Sequence, residues 1–262
     1  MKRTIAVLLA VITILSLALA ACNKTEEVAT TKTYVIATDA AWPPMEYVDA
    51  DKNIVGFDID MMNAIAEAMG FKVEYRNTAW DGIFAGLESG SYDAVLSSVT
   101  INDERQEVYD FSDPYINAGQ AVVVLVDNTT IASDADLPGK TVGAQIGTTG
   151  ALAVADIEGA TLKEYDTVDL AFMDLINGNV EAVVCDTPVA ADYALASEQY
   201  KGKVKIVGEP FTDEYYGLCV RKGESADLVQ AFNEGLKKIK ENGTYAQLYA
   251  KWITGEGTSQ VE

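Results

Sequence analysis

Within the stretch SSVTINDER, three hydroxyl side chains at Ser97, Ser98 and Thr100 precede a single arginine, Arg105. The strand-like run Asp93 to Leu96 ends just before them, where a parallel sheet opens its C-terminal edge. Arg105 offers a planar pair of N–H donors, the geometry that captures a carboxylate. It can equally be a solvated helix residue beside Asp103, Glu104 and Glu107. Asp186 ends a second apolar run, Ala182 to Cys185. Its carboxylate can receive a cationic group or cap the helix that Thr187-Pro188 would begin. No candidate nucleophile stands beside a base, so this is chemistry for holding a molecule unchanged.

Composition narrows the field. The 262 residues are 49% hydrophobic, enough for a well-filled core and for two lobes. The formal charge of -21 argues against nucleic acid as a partner and against attachment to anionic lipid through charge. Histidine is absent, which removes the commonest general base and metal ligand together. Cys22, Cys185 and Cys219 have no zinc spacing, and neither a metal nor another cofactor is expected.

The N-terminus carries its own signal. Lys2 and Arg3 precede an apolar run, Ile5 to Ala21, that reads as a secretion signal. Its end, Leu19-Ala20-Ala21-Cys22, resembles a bacterial lipobox, with cleavage before Cys22 and lipid on that residue. Residues 22–32 are polar and read as a tether. The expectation is a globular part outside the cytoplasmic membrane, in the periplasm or at the cell surface, held to the membrane only through lipid on Cys22.

The elements that must position Arg105 and Asp186 follow an α/β rhythm. Thr33 to Thr38, Phe71 to Tyr75 and Asp93 to Leu96 read as strands. The segments 58–69 and 80–87 between them read as helices, the first with helical apolar period and closed by Gly70. A long apolar strand, Ala118 to Val126, comes next. A fresh α/β series then begins at Lys140 to Gln145 and runs through Leu162 to Tyr165, a helix at 167–176, and Ala182 to Cys185. Tyr216 to Val220 reads as one further strand, and helices at 226–240 and 244–252 close the chain. Alternation of this kind implies largely parallel sheets, and the mid-chain restart implies a second lobe.

Five segments carry a family resemblance: ATDAAWPPMEY at Ala37, GFDIDMMNAIAEAMG at Gly56, SSVTINDERQEVYDFSDPY at Ser97, GTTG at Gly147 and NGTYAQLYAKW at Asn242. In this order they resemble the family 3 extracellular solute-binding proteins, the polar amino-acid receptors of ABC transporters. The resemblance implies a two-lobed periplasmic binding protein fold of type II. Each lobe would be a mostly parallel sheet flanked by helices, with hinge crossings near Tyr115 to Gly119 and Thr212 to Gly217. It divides the mature chain into 33–116 (first lobe), 117–213 (second lobe) and 214–262 (return to the first). A monomer that closes on a free amino acid and hands it to ABC permease subunits is the expected activity, without catalysis.

The same resemblance assigns roles. Arg105, with Thr100, Thr149 and Ser98, would hold the ligand carboxylate, and Asp186, helped by Ser98, would hold the ammonium. Trp42 and Trp80 would wall the ligand side chain, with Asp39 and Gln145 reading its polar end. Asp39 suits a basic amino acid, arginine before lysine or ornithine, and can also accept from a glutamine amide. No second clear acid is expected in that sub-site. Gly150 lacks a side chain that some basic-amino-acid receptors use, and Cys185 stands where some relatives face the ligand with a polar group. Both Cys185 and Cys219 are expected reduced and buried. Rival readings are a cyclohexadienyl or arogenate dehydratase on this fold and a receptor reporting to a signalling protein.

Overall fold

The computed structural model describes residues 31–255. The expected leader, Cys22 and nearly all of the tether lie outside them. Two five-stranded sheets organise the chain. The first runs in the order Lys72–Asn77, Thr33–Thr38, Ala94–Val95, Cys219–Arg221, Tyr109–Phe111. The second runs Thr161–Tyr165, Thr141–Gln145, Ala182–Asp186, Gln120–Leu125, Val204–Val207. In each sheet the first three strands are parallel and the fourth is antiparallel to both neighbours. The parallel strands that the sequence pattern implied thus form one side of each sheet, and the fourth strand makes the sheet mixed. An apolar run such as AVVVL shows that a strand is buried but not its direction.

Helices cover these sheets because their apolar residues recur with helical period. Phe57–Met69 buries Phe57, Met61, Met62, Ile65 and Ala66, and ends at Gly70 in the left-handed conformation, φ 76°. Ala226–Glu241 buries Leu228, Phe232, Leu236 and Ile239 along one side. These two helices pack on each other, and Thr244–Trp252 packs on both. The tail has thus returned to the first sheet. One apolar cluster joins residues of both sheets, including Ile36, Met61, Val123, Phe172, Val183 and Tyr216. Among the described residues no helix is long and apolar enough to cross a membrane.

The chain passes between the sheets through Ile116–Asn117 and again through Tyr215–Tyr216, and these segments pair antiparallel. At Gly119 a β-carbon would lie 2.1 Å from the Thr212 carbonyl oxygen, so only glycine lets the two crossings touch. The expected single strand Tyr216 to Val220 is broken at Gly217-Leu218. Its first part pairs within the crossing and its second part, Cys219–Arg221, within the first sheet.

Candidate amino-acid site between the sheets

The cavity lies where strands end. Asp39 follows Thr33–Thr38, Ser97 to Thr100 follow Ala94–Val95, Gln145 closes Thr141–Gln145, and Asp186 closes Ala182–Asp186. The space there not filled by protein atoms is about 310 Å³, part of it open to solvent. Asp39, Trp42, Trp80, Ser98, Thr100, Arg105, Gln145, Thr149 and Asp186 all line it, so every residue singled out for ligand contact meets at one place. Glu46, Ser97 and Thr148 line it as well.

Arg105 sits in the short helix Asp103–Val108, where the Asn102 side chain accepts from its backbone N–H at 2.8 Å. Its acidic neighbours Asp103, Glu104 and Glu107 are exposed, while Arg105 turns inward. Its guanidinium lies 5.5 Å from the centre of the Trp80 ring and 5.4 Å from that of Phe84. Nη1 donates to the Thr100 carbonyl at 2.9 Å and Nη2 to the Gly147 carbonyl at 3.4 Å. Among the described residues no ion pair includes Arg105. Burial lowers its pKa from the ordinary value, against the pull of more distant acids such as Asp186 and Glu214.

Asp186 occupies the capping position of the helix Thr187–Ala191, yet its side chain makes no capping bond. It accepts instead from Gln120 Nε2 and from the Tyr216 hydroxyl. Burial pushes its carboxyl up to about 7. Asp39, also raised by burial, accepts from Gln145 Nε2 at 3.1 Å. That bond links the two sheets, as do the 3.3 Å approach of the Thr100 and Thr149 hydroxyls and the Arg105 bond to Gly147. The two sides of the cavity are closed on one another.

The tryptophans serve two surroundings. Trp42 belongs to the large core cluster, and Trp80 to a second one in which it meets Phe84 edge-on at 5.2 Å. Gly150 has no room for a side chain, since a β-carbon would come within 2.7 Å of Gln120 Oε1. Gln120 therefore takes up the space that the glycine leaves. Cys185 packs in the core and does not line the cavity, and Cys185 and Cys219 are free, buried and in different sheets.

Several site residues escaped the sequence reading. Glu46 lines the cavity and is fully buried, which corrects the expectation of no second acid beside Asp39. Its signal is an acid between apolar residues, PMEY. Gln120 is the one polar side chain in AGQAVVVLV, a visible clue in an apolar strand. Glu214 accepts from Thr149 Oγ1 at 2.6 Å and from Thr212 Oγ1 at 2.7 Å. It lies in the segment Thr212 to Gly217, read as a hinge, as does Tyr216, read also as the start of a strand.

With one guanidinium and three carboxyl groups (Asp39, Glu46 and Asp186) around the cavity, its geometry can hold a carboxylate and more than one cationic group. It offers no activated nucleophile. Comparison with known proteins agrees with this geometry. A probable histidine-binding protein of Neisseria gonorrhoeae is 38% identical over 229 residues, 86% of this chain and 85% of that protein. An ancestral arginine-binding protein, solved bound to arginine, is 43% identical with a TM-score of 0.79, over 84% of this chain and 98% of that one. An ancestral arginine-binding protein solved bound to glutamine is 43% identical with a TM-score of 0.78, over 84% of this chain and 97% of that one. These relatives are binding proteins, and the fold is theirs. The family of bacterial extracellular solute-binding proteins, family 3, matches residues 34–255, and the chain belongs to it.

Proposed function

We propose that this chain is an extracytoplasmic receptor that closes on one free basic amino acid, arginine before lysine or ornithine, and presents it unchanged to an ABC importer. The observation that carries the reading is the charge distribution of the cavity. Among the described residues Arg105 has no ion-pair partner, which suits a ligand carboxylate. Asp186, on the opposite side, suits the ammonium. Asp39 and Glu46 remain for a cationic side chain, beside Trp42 and Trp80, whose faces favour a planar guanidinium. Thr100, Thr149 and Ser98 supply hydroxyls to the two charged ends, and Gln145 orients Asp39. Closure follows because the ligand touches both sides only in the closed form; equal contact with open and closed forms would shift nothing.

A second reading, glutamine, is favoured by the Asp39–Gln145 pair, which can accept from and donate to an amide. The glutamine-bound ancestral protein supports it. The chain would work as a monomer, anchored by lipid on Cys22 in the periplasm or at the cell surface; mass analysis of the mature N-terminal peptide tests that anchor. Ligand choice is tested by unfolding, dialysing and refolding the protein, then screening the common amino acids, ornithine and cystine by thermal shift. A ligand at a hundred times its Kd stabilises the folded state by about 2.7 kcal/mol. Arginine should give the largest shift. A response to glutamine or histidine without one to arginine refutes the first choice, and turnover of prephenate or arogenate refutes the receptor.

A further inference from the structure

Glu46 and Asp58 form a buried acid pair behind the cavity. Both residues are 0% exposed. Glu46 lies on the strand Glu46–Val48 and lines the cavity; Asp58 lies in the first turn of Phe57–Met69. Ser98 holds both, in a left-handed conformation, φ 52°, uncommon outside glycine. Its N–H donates to Asp58 Oδ2 at 3.0 Å and its hydroxyl to Glu46 Oε2 at 3.2 Å. Ser97 Oγ donates to Glu46 Oε1 at 2.9 Å, and the Tyr115 hydroxyl to Asp58 Oδ2 at 2.7 Å. Asp58 Oδ1 is buried and meets no donor from another residue, and Ser98 bridges the two carboxyls.

The charges around the pair give it little relief. Among the described residues neither acid has an ion-pair partner. Asp39 acts on Glu46 as a further negative charge, and Asp186 shares the cavity with it. Arg105, the one cation among the described residues lining the cavity, is bound to the Thr100 and Gly147 carbonyls. Tyr115 and Tyr216 face the pair as neutral phenols, and Tyr75 and Tyr245 face Asp58 in the same state. Two adjacent buried carboxylates without a counter-ion cannot both be ionised.

We propose that Glu46 and Asp58 share one proton while the cavity holds no cationic side chain, and that a cationic ligand side chain displaces it. Burial raises both acids, and the charge of Asp58 raises Glu46 further. The charge balance is even: one positive charge enters on the ligand and one proton leaves to solvent. A neutral side chain leaves the proton in place. The pair thereby distinguishes cationic from neutral amino acids by ionisation as well as by shape. This rests on the basic-amino-acid reading above.

The test compares arginine with citrulline, which has the same backbone groups and nearly the same shape but no side-chain charge. Asp186 meets the same ammonium in both, so its titration cancels in the difference. Calorimetry in buffers of different ionisation enthalpy reads the protons released. Arginine should release about one more proton than citrulline near pH 6, and its relative affinity should rise about tenfold per pH unit there. That difference should vanish in Glu46→Gln and in Asp58→Asn, but persist in Asp39→Asn, where it can still be measured at raised ligand concentration. Infrared spectra of the ligand-free parent should show a protonated buried carboxyl that arginine removes and citrulline leaves, a measurement needing no variant. Arginine binding without the extra proton overturns the inference and leaves the receptor reading standing. Failure to bind arginine at all overturns both.

Discussion

Replacing Arg105 with alanine separates a residue kept for its ligand from one kept for the fold. In the folded protein its guanidinium makes one good bond to the Thr100 carbonyl, one long bond to Gly147, and contacts with the Trp80 and Phe84 rings. The good bond contributes about 1.5 to 3 kcal/mol, and the ring contacts about 0.5 to 1 kcal/mol. Burial of a charge without an ion-pair partner offsets much of this. Ligand-free stability should therefore change by about 2 kcal/mol or less. Ligand binding is different, because the carboxylate would be left in a closed cavity without its partner. Truncating one side of a buried pair costs about 3 to 5 kcal/mol. Arg105 is half-buried, so the lower end applies, and arginine affinity should fall about a hundredfold or more. Calorimetry on refolded protein gives the affinity, and urea unfolding without ligand gives the stability. Arg105→Lys, which keeps charge but loses the planar fork, should fall between parent and alanine variant. An affinity within about threefold of the parent, or about 0.65 kcal/mol, would show that this guanidinium does not hold the ligand.

Asp186→Asn should weaken arginine binding by about two orders of magnitude, since an amide keeps the size but cannot balance the ammonium; unchanged calorimetric affinity would move the ammonium elsewhere. Ligand-free stability should fall as pH rises from about 5 to about 7. Burial raises Asp58 and Asp186 from 3.8 to about 7, so in that window the folded chain keeps protons that the unfolded chain has lost. Acids with lowered pKa, such as Asp110 and Asp227, act in the opposite sense below about pH 5, so urea unfolding that is flat or rising across the window contradicts the assignment. Gly150→Ala should lower arginine affinity by displacing Gln120 from Asp186, and an unaffected affinity would show that Gln120 yields without consequence. With Cys22 replaced, thiol reagents should label Cys185 and Cys219 only after unfolding. Both are buried, and burial pushes Cys219 up to about 12 and Cys185 upward as well.

The alternation of strands and helices, the mid-chain restart and the five family segments were legible because they depend on local period and short motifs. Asp186, Asp39 and the hydroxyl run were legible for a related reason: each stands at a strand end, and strand ends are readable one at a time, while Arg105 was legible as the single arginine after the hydroxyl run. Local sequence gave Arg105 and Asp186 two roles each, as solvated helix residue or clamp, and as cap or anchor. Only the fold turned the guanidinium inward over Trp80 and Phe84 and engaged the carboxylate with Gln120 and Tyr216 in place of a helix cap. The splitting of Tyr216 to Val220 was likewise invisible locally, because its halves pair with strands about a hundred residues away.

What the amino-acid order determined alone is the set of elements and the chemical types at their ends, since periodicity and side-chain chemistry are properties of neighbours. Only tertiary structure decided which of those ends share one cavity. It brought Glu46 against Asp58 through Ser98, placed Gln120 in the space Gly150 leaves, and set Glu214 on Thr149. Burial and distance between remote residues fix the charge a buried acid carries, and neither is a property of any one segment.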